Sequence, residues 1–151
     1  MHAFTKRFAA AFFAALLALL AGCASVPMTS TEGDAKGKSF AVAPGKANIY
    51  VYRNETLGAA FQMTVTLNGR VAGRSAAQTY FLFEVDPGIY EVGSIAENTV
   101  IHKLIAQAGN SYFVWQEVKM GLWMARSELR QVDEATGRKG VAECKRAQPT
   151  S

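Results

Sequence analysis

Few side chains in this sequence are of a type that performs chemistry, and their spacing narrows the field further. Cysteine occurs twice, as Cys23 and Cys144, and histidine twice, as His2 and His102. A nucleophile needs a base beside it, and a zinc site needs three or four nitrogen or sulfur ligands. His102 lies within Thr-Val-Ile-His-Lys-Leu-Ile and reads as a partly exposed strand residue. Glu84 and Asp86 share one face of a strand entering a turn, and Asp133-Glu134 opens the C-terminal tail. Paired carboxylates can serve as general acid and base. Their plainer reading is a solvated edge and turn, with Asp133 capping a helix. Gly69 and Gly73 belong to a hairpin and Gly137 and Gly140 to a polar tail, without phosphate-cradling spacing. The sequence therefore predicts no catalytic residue, no metal site and no cofactor.

Cys23 is different, because of what precedes it. Lys6-Arg7 gives a positive flank, Phe8 to Ala21 is an apolar run of 14 residues, and Leu20-Ala21-Gly22-Cys23 closes it. Positive flank, short apolar core and small residues at a cleavage point are the parts of a secretory signal. The last four residues resemble the lipobox of bacterial lipoproteins. A thiol is needed there because sulfur accepts a diacylglyceryl group as a thioether, and two small residues before it fit a dedicated peptidase. The resemblance implies residues 1–22 as signal peptide and lipidation at Cys23, with an acyl chain such as palmitate. Two alternatives are an ordinary cleavage site beside an incidental cysteine, and an uncleaved anchor. The anchor is disfavoured because spanning a bilayer takes about 18 or more apolar residues. Each buried methylene contributes about 0.8 kcal/mol, so two or three acyl chains hold a protein firmly. Ala24 stands where Asp would favour inner-membrane retention, so the resemblance implies an outer-membrane address facing the periplasm.

Cys144 is the single thiol left after such processing, flanked by Lys145 and Arg146, which favour a thiolate. It is a candidate for an intermolecular disulfide and hence a homodimer; the plainer reading is a small side chain tucking the tail inward. Among the aromatics, Phe113, Trp115 and Trp123 are candidate binding residues for a glycan or peptidoglycan surface, though a small sandwich also needs such side chains inside. If Tyr112 and Val114 face inward, Phe113 and Trp115 face the other way. Tyr50 and Tyr52 share a strand face.

The elements that position these residues follow from periodicity. Residues 24–46 are rich in Ser, Thr, Gly, Ala and Lys without period, and read as a flexible tether spanning roughly 25 Å. Pro44-Gly45 marks its end. From residue 47 onward, short strands divided by turns follow: 47–53, 61–67, 70–74, 80–85, 89–96, 99–107, 111–119 and 123–132. Asn68-Gly69 signals a type I′ turn, and Asp86-Pro87-Gly88 a reversal in which Gly supplies positive φ. The tail from Asp133 to Arg146 reads as a short helix weakened by Gly137 and Gly140. The expected fold is an all-β antiparallel sandwich of seven to eight strands with a short C-terminal helix. The domains are then 1–22, 23–46 and 47–151.

The strings Ala-Asn-Ile-Tyr-Val-Tyr-Arg, Val-Thr-Leu-Asn-Gly-Arg-Val-Ala-Gly, Phe-Glu-Val-Asp-Pro-Gly-Ile-Tyr and Ala-Gly-Asn-Ser-Tyr-Phe-Val together resemble a family of proteobacterial envelope proteins that carry a domain of unknown function and are often lipoproteins. More distantly, they are similar to PEGA-type and carboxypeptidase-regulatory-like sandwiches. Neither resemblance brings a catalytic residue. Net charge falls from +4 to +2 once Lys6 and Arg7 are set aside, and the basic residues are scattered. Nucleic-acid binding, which wants a basic stripe, is not expected. The expectation is a non-catalytic envelope binding or assembly module on the membrane, partnered by an envelope protein or peptidoglycan. Its rivals are a cell-wall-acting enzyme and a purely structural envelope component.

Overall fold

All seven residues of β1 (Ala47–Arg53) are buried, because both faces of this strand are covered. That places it at the centre of the protein in a computed structural model, which describes residues 25–123 and 125–150. The expected signal peptide and Cys23 lie outside the described residues. The remaining strands are β2 (Met63–Leu67), β3 (Arg70–Ser75), β4 (Thr79–Val85), β5 (Gly88–Ile95), β6 (Thr99–Ala106), β7 (Ser111–Met120), β8 (Ala125–Val132) and the short β9 (Lys145–Arg146). Two helices, α1 (Thr31–Lys38) and α2 (Glu134–Ala142), complete it.

The strands form two sheets, ordered β8-β7-β1-β4-β9 and β3-β2-β5-β6. The sandwich expected from the sequence is present, with all eight of its strands and its C-terminal helix. Most pairings are antiparallel, but β1 runs parallel to β7, and β4 parallel to β9. The Asn68-Gly69 turn has φ of 50° and 75°, as a type I′ hairpin requires. The chain also reverses at Asp86-Pro87-Gly88, but Gly88 begins β5 without a left-handed φ.

Alternation along β1 divides the interior in two. Ile49 and Val51 join Val65, Phe81, Val92, Leu104 and Val114 between the sheets. Tyr50 and Tyr52 face the other way, with Tyr80, Phe113, Val141 and Cys144. This second cluster is roofed by the helices, making a third layer. The α2 glycines permit that roof. A methyl group at Gly137 would overlap the Phe113 ring, and one at Gly140 the Tyr52 ring. They weaken the helix locally and allow it to lie close.

The expected tether is corrected over its described part. Ser30 caps α1, its Oγ accepting the Gly33 N–H at 3.2 Å. Tyr50 Oη donates to Gly37 O at 2.9 Å and Tyr80 Oη to Asp34 O at 3.2 Å. Asp34 Oδ1 accepts the Arg146 N–H at 2.9 Å, and Oδ2 accepts from Lys38 at 2.9 Å. Backbone-directed tyrosine hydroxyls and a shared carboxylate hold this segment against the sheet. Ahead of it, Met28 bridges Ala147, and Val26 is buried in the core.

Candidate functional site

The end of the sandwich where β1 and β7 finish is shaped by one buried cation. Arg53 is fully buried, and its Nη1 donates to Phe61 O at 2.8 Å and its Nη2 to Gly58 O at 2.7 Å. Burial lowers its pKa from the ordinary guanidinium value. Carbonyls drawn to a buried guanidinium fold residues 54–62 into a compact loop. Glu55 Oε2 accepts the Val118 N–H at 2.7 Å, and Gly58 packs on Val118 and Ala125, so the loop lies against the turn end of the β7–β8 hairpin.

Asn54, the first residue of that loop, reaches α2: its Nδ2 donates to Glu143 Oε2 at 2.8 Å. Between them lies a cleft of about 240 Å³ lined by Tyr52, Asn54, Trp115, Thr136, Lys139 and Glu143, with Gly140 at its margin. Two of its lining residues carry buried polar atoms without a hydrogen-bond partner, Trp115 Nε1 and Asn54 Oδ1. A buried unpaired donor or acceptor costs about 1–3 kcal/mol. Both atoms are enclosed, so a small polar molecule in the cleft meets them once the Asn54 amide and the indole edge turn toward it. Arg130 stacks over the Trp115 ring, its Cζ 5.7 Å from the centroid, and is held by Glu117 at 3.0 Å. The ring is therefore fixed in orientation. A larger, more polar hollow of about 600 Å³ lies at the opposite end of α2, between Phe40, Asn110, Tyr112, Asp133 and Arg138. Arg138 covers Phe40 there at 4.7 Å.

The three candidate aromatics meet three different fates. Phe113 is buried under α2, stacked on Tyr50 at 4.9 Å, and is corrected from a binding residue to core. Trp115 lines the cleft. Trp123 is 90% exposed at the β7–β8 tip. Phe113 does face away from Val114, but the layer it meets is the chain's own helices.

Cys144 is 1% exposed, and its Sγ donates to Arg53 O at 3.5 Å. Burial, with the charge of Glu143 adding, pushes its pKa up to about 12, opposite to the activation expected from Lys145 and Arg146. An intermolecular disulfide at this position requires the tail to unpack first. Asp86 pairs with Lys46 at 2.8 Å in its turn. His102 Nε2 lies 3.1 Å from Gln131 Oε1, at mid-β6 opposite Val92. Val92 is four residues beyond Gly88, roughly 13 Å along the strand, so the fold does not bring His102 to the carboxylates. Asp133 caps α2, accepting the Thr136 N–H at 2.9 Å. No sequence reading singled out Asn54 or Arg53. The signal available for Arg53 was a charge closing a strand whose other residues, Asn48 apart, are apolar or aromatic.

Residues 43–128, from just before β1 into β8, match the family described as a protein of unknown function, DUF2846. The chain belongs to the DUF2846 family. An uncharacterised protein of Haemophilus influenzae is similar at 28% identity over 138 residues, covering 89% of this chain and 82% of that one. No solved structure matches. The DUF2846 match contains Tyr52, Asn54 and Trp115, while both helices and β9 lie outside it. Arg53 and the loop it organises thus belong to the DUF2846 part of the chain, and the α2 wall of the cleft is added from beyond it.

Proposed function

We propose that this DUF2846 protein is lipid-anchored through Cys23 in the cell envelope, facing the periplasm from the outer membrane. In this reading its folded body binds and does not catalyse. The bound species is a small saccharide-bearing molecule, of the kind cell-wall glycan offers, seated in the cleft between Asn54, Trp115 and α2. The observation that carries the reading is that two residues lining the cleft, Trp115 and Asn54, each hold an enclosed polar atom without a partner, Nε1 and Oδ1. A sugar presents hydroxyls that donate and accept over an apolar ring face, and Tyr52 and Trp115 supply the apolar surface. Lys139 and Glu143 stand at the cleft for polar groups at its margin. The separation of His102 from Glu84 and Asp86 favours binding over hydrolysis.

The test is titration of the full-length protein with soluble peptidoglycan fragments, followed by the emission of Trp115 and by chemical-shift changes. Asn54→Leu and Trp115→Phe are each expected to weaken binding about tenfold, since one hydrogen bond in a desolvated site is worth roughly 1.4 kcal/mol. Fragments are expected back unaltered. Saturable binding that ignores both substitutions, or none at all, removes the cleft from the reading. The anchor is tested separately, by the mass of the N-terminal peptide and by release of Cys23→Ser protein from membranes.

A further inference from the structure

One end of the sandwich carries a cluster of apolar side chains with nothing packed on them. At the β7–β8 tip Met120 is 78%, Leu122 87% and Trp123 90% exposed, and on the loop beside it Leu57 is 50% and Phe61 40% exposed. The two segments adjoin, through Gly58 on Val118 and Ala125 and through Glu55 on the Val118 N–H. The tip is held in shape: the Trp123 N–H donates to Glu97 Oε2 at 3.1 Å, and Glu97 is also paired with Arg126 at 3.6 Å. Its backbone is thus tied down from the turn between β5 and β6 while its apolar side chains project outward.

The chain enters the fold at this same end. Ser25 O accepts from Gln62 Nε2 at 2.6 Å. Gln62 directly precedes Met63, which packs with Val118 and Ala125 at the base of the tip. Ser25, Val26 and Met28 also line a hollow with Ala76–Thr79, the loop that enters β4 opposite Arg53. Ser25 stands two residues after Cys23, a reach of about 7 Å.

We infer that this end docks on the lipid bilayer, with Met120, Leu122 and Trp123 entering the boundary between headgroups and acyl chains and Leu57 and Phe61 beside them. The inference rests on the lipid-anchored reading. A lipid on Cys23 holds the Ser25 end within a few ångströms of the bilayer, so docking becomes an event at high local concentration. Tryptophan with aliphatic neighbours is the composition that settles at that boundary. The outer face of the second sheet also exposes Ile89, Ile101 and Ile105, but the Lys103–Glu91 ion pair at 2.8 Å crosses it and the chain does not enter there.

The experiment uses the full-length protein extracted with its anchor, carrying Trp115→Phe so that Trp123 is the one indole. It is reconstituted in phosphatidylethanolamine vesicles with a minority of phosphatidylglycerol, with and without phospholipid brominated on its acyl chains. Docking shifts Trp123 emission to shorter wavelength, and brominated lipid quenches it at least twofold. A water-like, unquenched emission overturns the inference, and so does protection that appears only when envelope proteins are added. The mass of the N-terminal peptide, read beside the quenching, separates the two ideas. An N-terminal peptide without the mass of attached lipid fails the anchor reading, while quenching of Trp123 alone still decides docking.

Discussion

Gln116 Nε2 donates to Ser94 Oγ at 2.6 Å, joining β7 of one sheet to β5 of the other through the middle of the core. The chain of bonds continues on both sides. Ser75 Oγ donates to Gln116 Oε1 at 2.6 Å, and Ser94 Oγ to Ser127 Oγ at 2.8 Å. All four side chains are buried. Asn98 then clamps β8 by bonding both the N–H of Ser127, at 2.8 Å, and its carbonyl, at 2.9 Å. Gln116→Leu takes one partner from each hydroxyl, while Ser75 Oγ keeps Met63 O at 3.3 Å and Ser94 Oγ keeps Ser127 Oγ at 2.8 Å. Urea denaturation is expected to show a loss of about 1–3 kcal/mol. Adding Ser75→Ala and Ser94→Ala to Gln116→Leu should return part of it, because apolar groups then face one another. An unchanged midpoint in the single variant means the network contributes nothing.

Two effects of opposite sign compete at Gly140. Helix propensity favours Gly140→Ala by about 1 kcal/mol, whereas a methyl group there overlaps Tyr52. Overpacking costs about 1–3 kcal/mol, so a net loss is expected. The same holds for Gly137→Ala against Phe113. Thermal unfolding gives the sign directly, and a raised Tm in either variant contradicts the close packing of α2.

Cys144 is expected to resist thiol reagents in the folded protein. Its pKa of about 12, raised first by burial, leaves almost no thiolate at pH 8, and its Sγ is enclosed. Labelling should run at the rate of local opening and become fast in denaturant. Prompt labelling of folded protein, or a reducible dimer on electrophoresis that is absent from Cys144→Ala, argues for an accessible thiol.

Asp34 makes the docking of α1 sensitive to acid. Burial acts to raise its pKa, but the hydrogen bonds from Lys38 and the Arg146 N–H prevail, and the carboxyl sits below its ordinary 3.8. A carboxylate lowered on folding stabilises fully above its unfolded pKa and loses that effect as pH falls through the folded one. Hydrogen exchange of residues 31–38 should therefore quicken below about pH 4. Asp34→Asn should raise exchange there at neutral pH and flatten its dependence on acid. Parallel profiles for the two proteins exclude the carboxylate as cause.

The strands were legible because each carries a local signal: period two over 61–67, Asn68-Gly69 at one turn and Gly109 at another. Alternation also indicated that Tyr50 and Tyr52 share a face and that Phe113 opposes Val114. It did not indicate what covers that face, since periodicity reports which side a residue lies on and nothing about the neighbour. Helix α1 was missed although Ser30 stands at its cap, Glu32 and Asp34 at its start and Lys36 and Lys38 at its end, a charge order that suits a helix dipole. Gly33 and Gly37 obscured it. Gly37 is there because Tyr80 leaves no room for a side chain, a contact 43 residues away that no local window reports. The cleft at Trp115 was half visible: the indole stood out, whereas Asn54 became meaningful only once Arg53 had folded its loop toward α2.

The pairing of Met28 with Ala147, and of β9 with β4 beside it, has a bearing on the order in which the protein is made. Thr29 N–H donates to Arg146 O at 3.0 Å and Ala147 N–H to Tyr80 O at 2.8 Å, so residues 28 and 29 are secured by a segment more than a hundred positions later in the chain. A chain emerging from the ribosome lacks these partners until residue 147 has appeared. Residues 28 and 29 therefore settle against their partners only after the segment at 145–147 has been made.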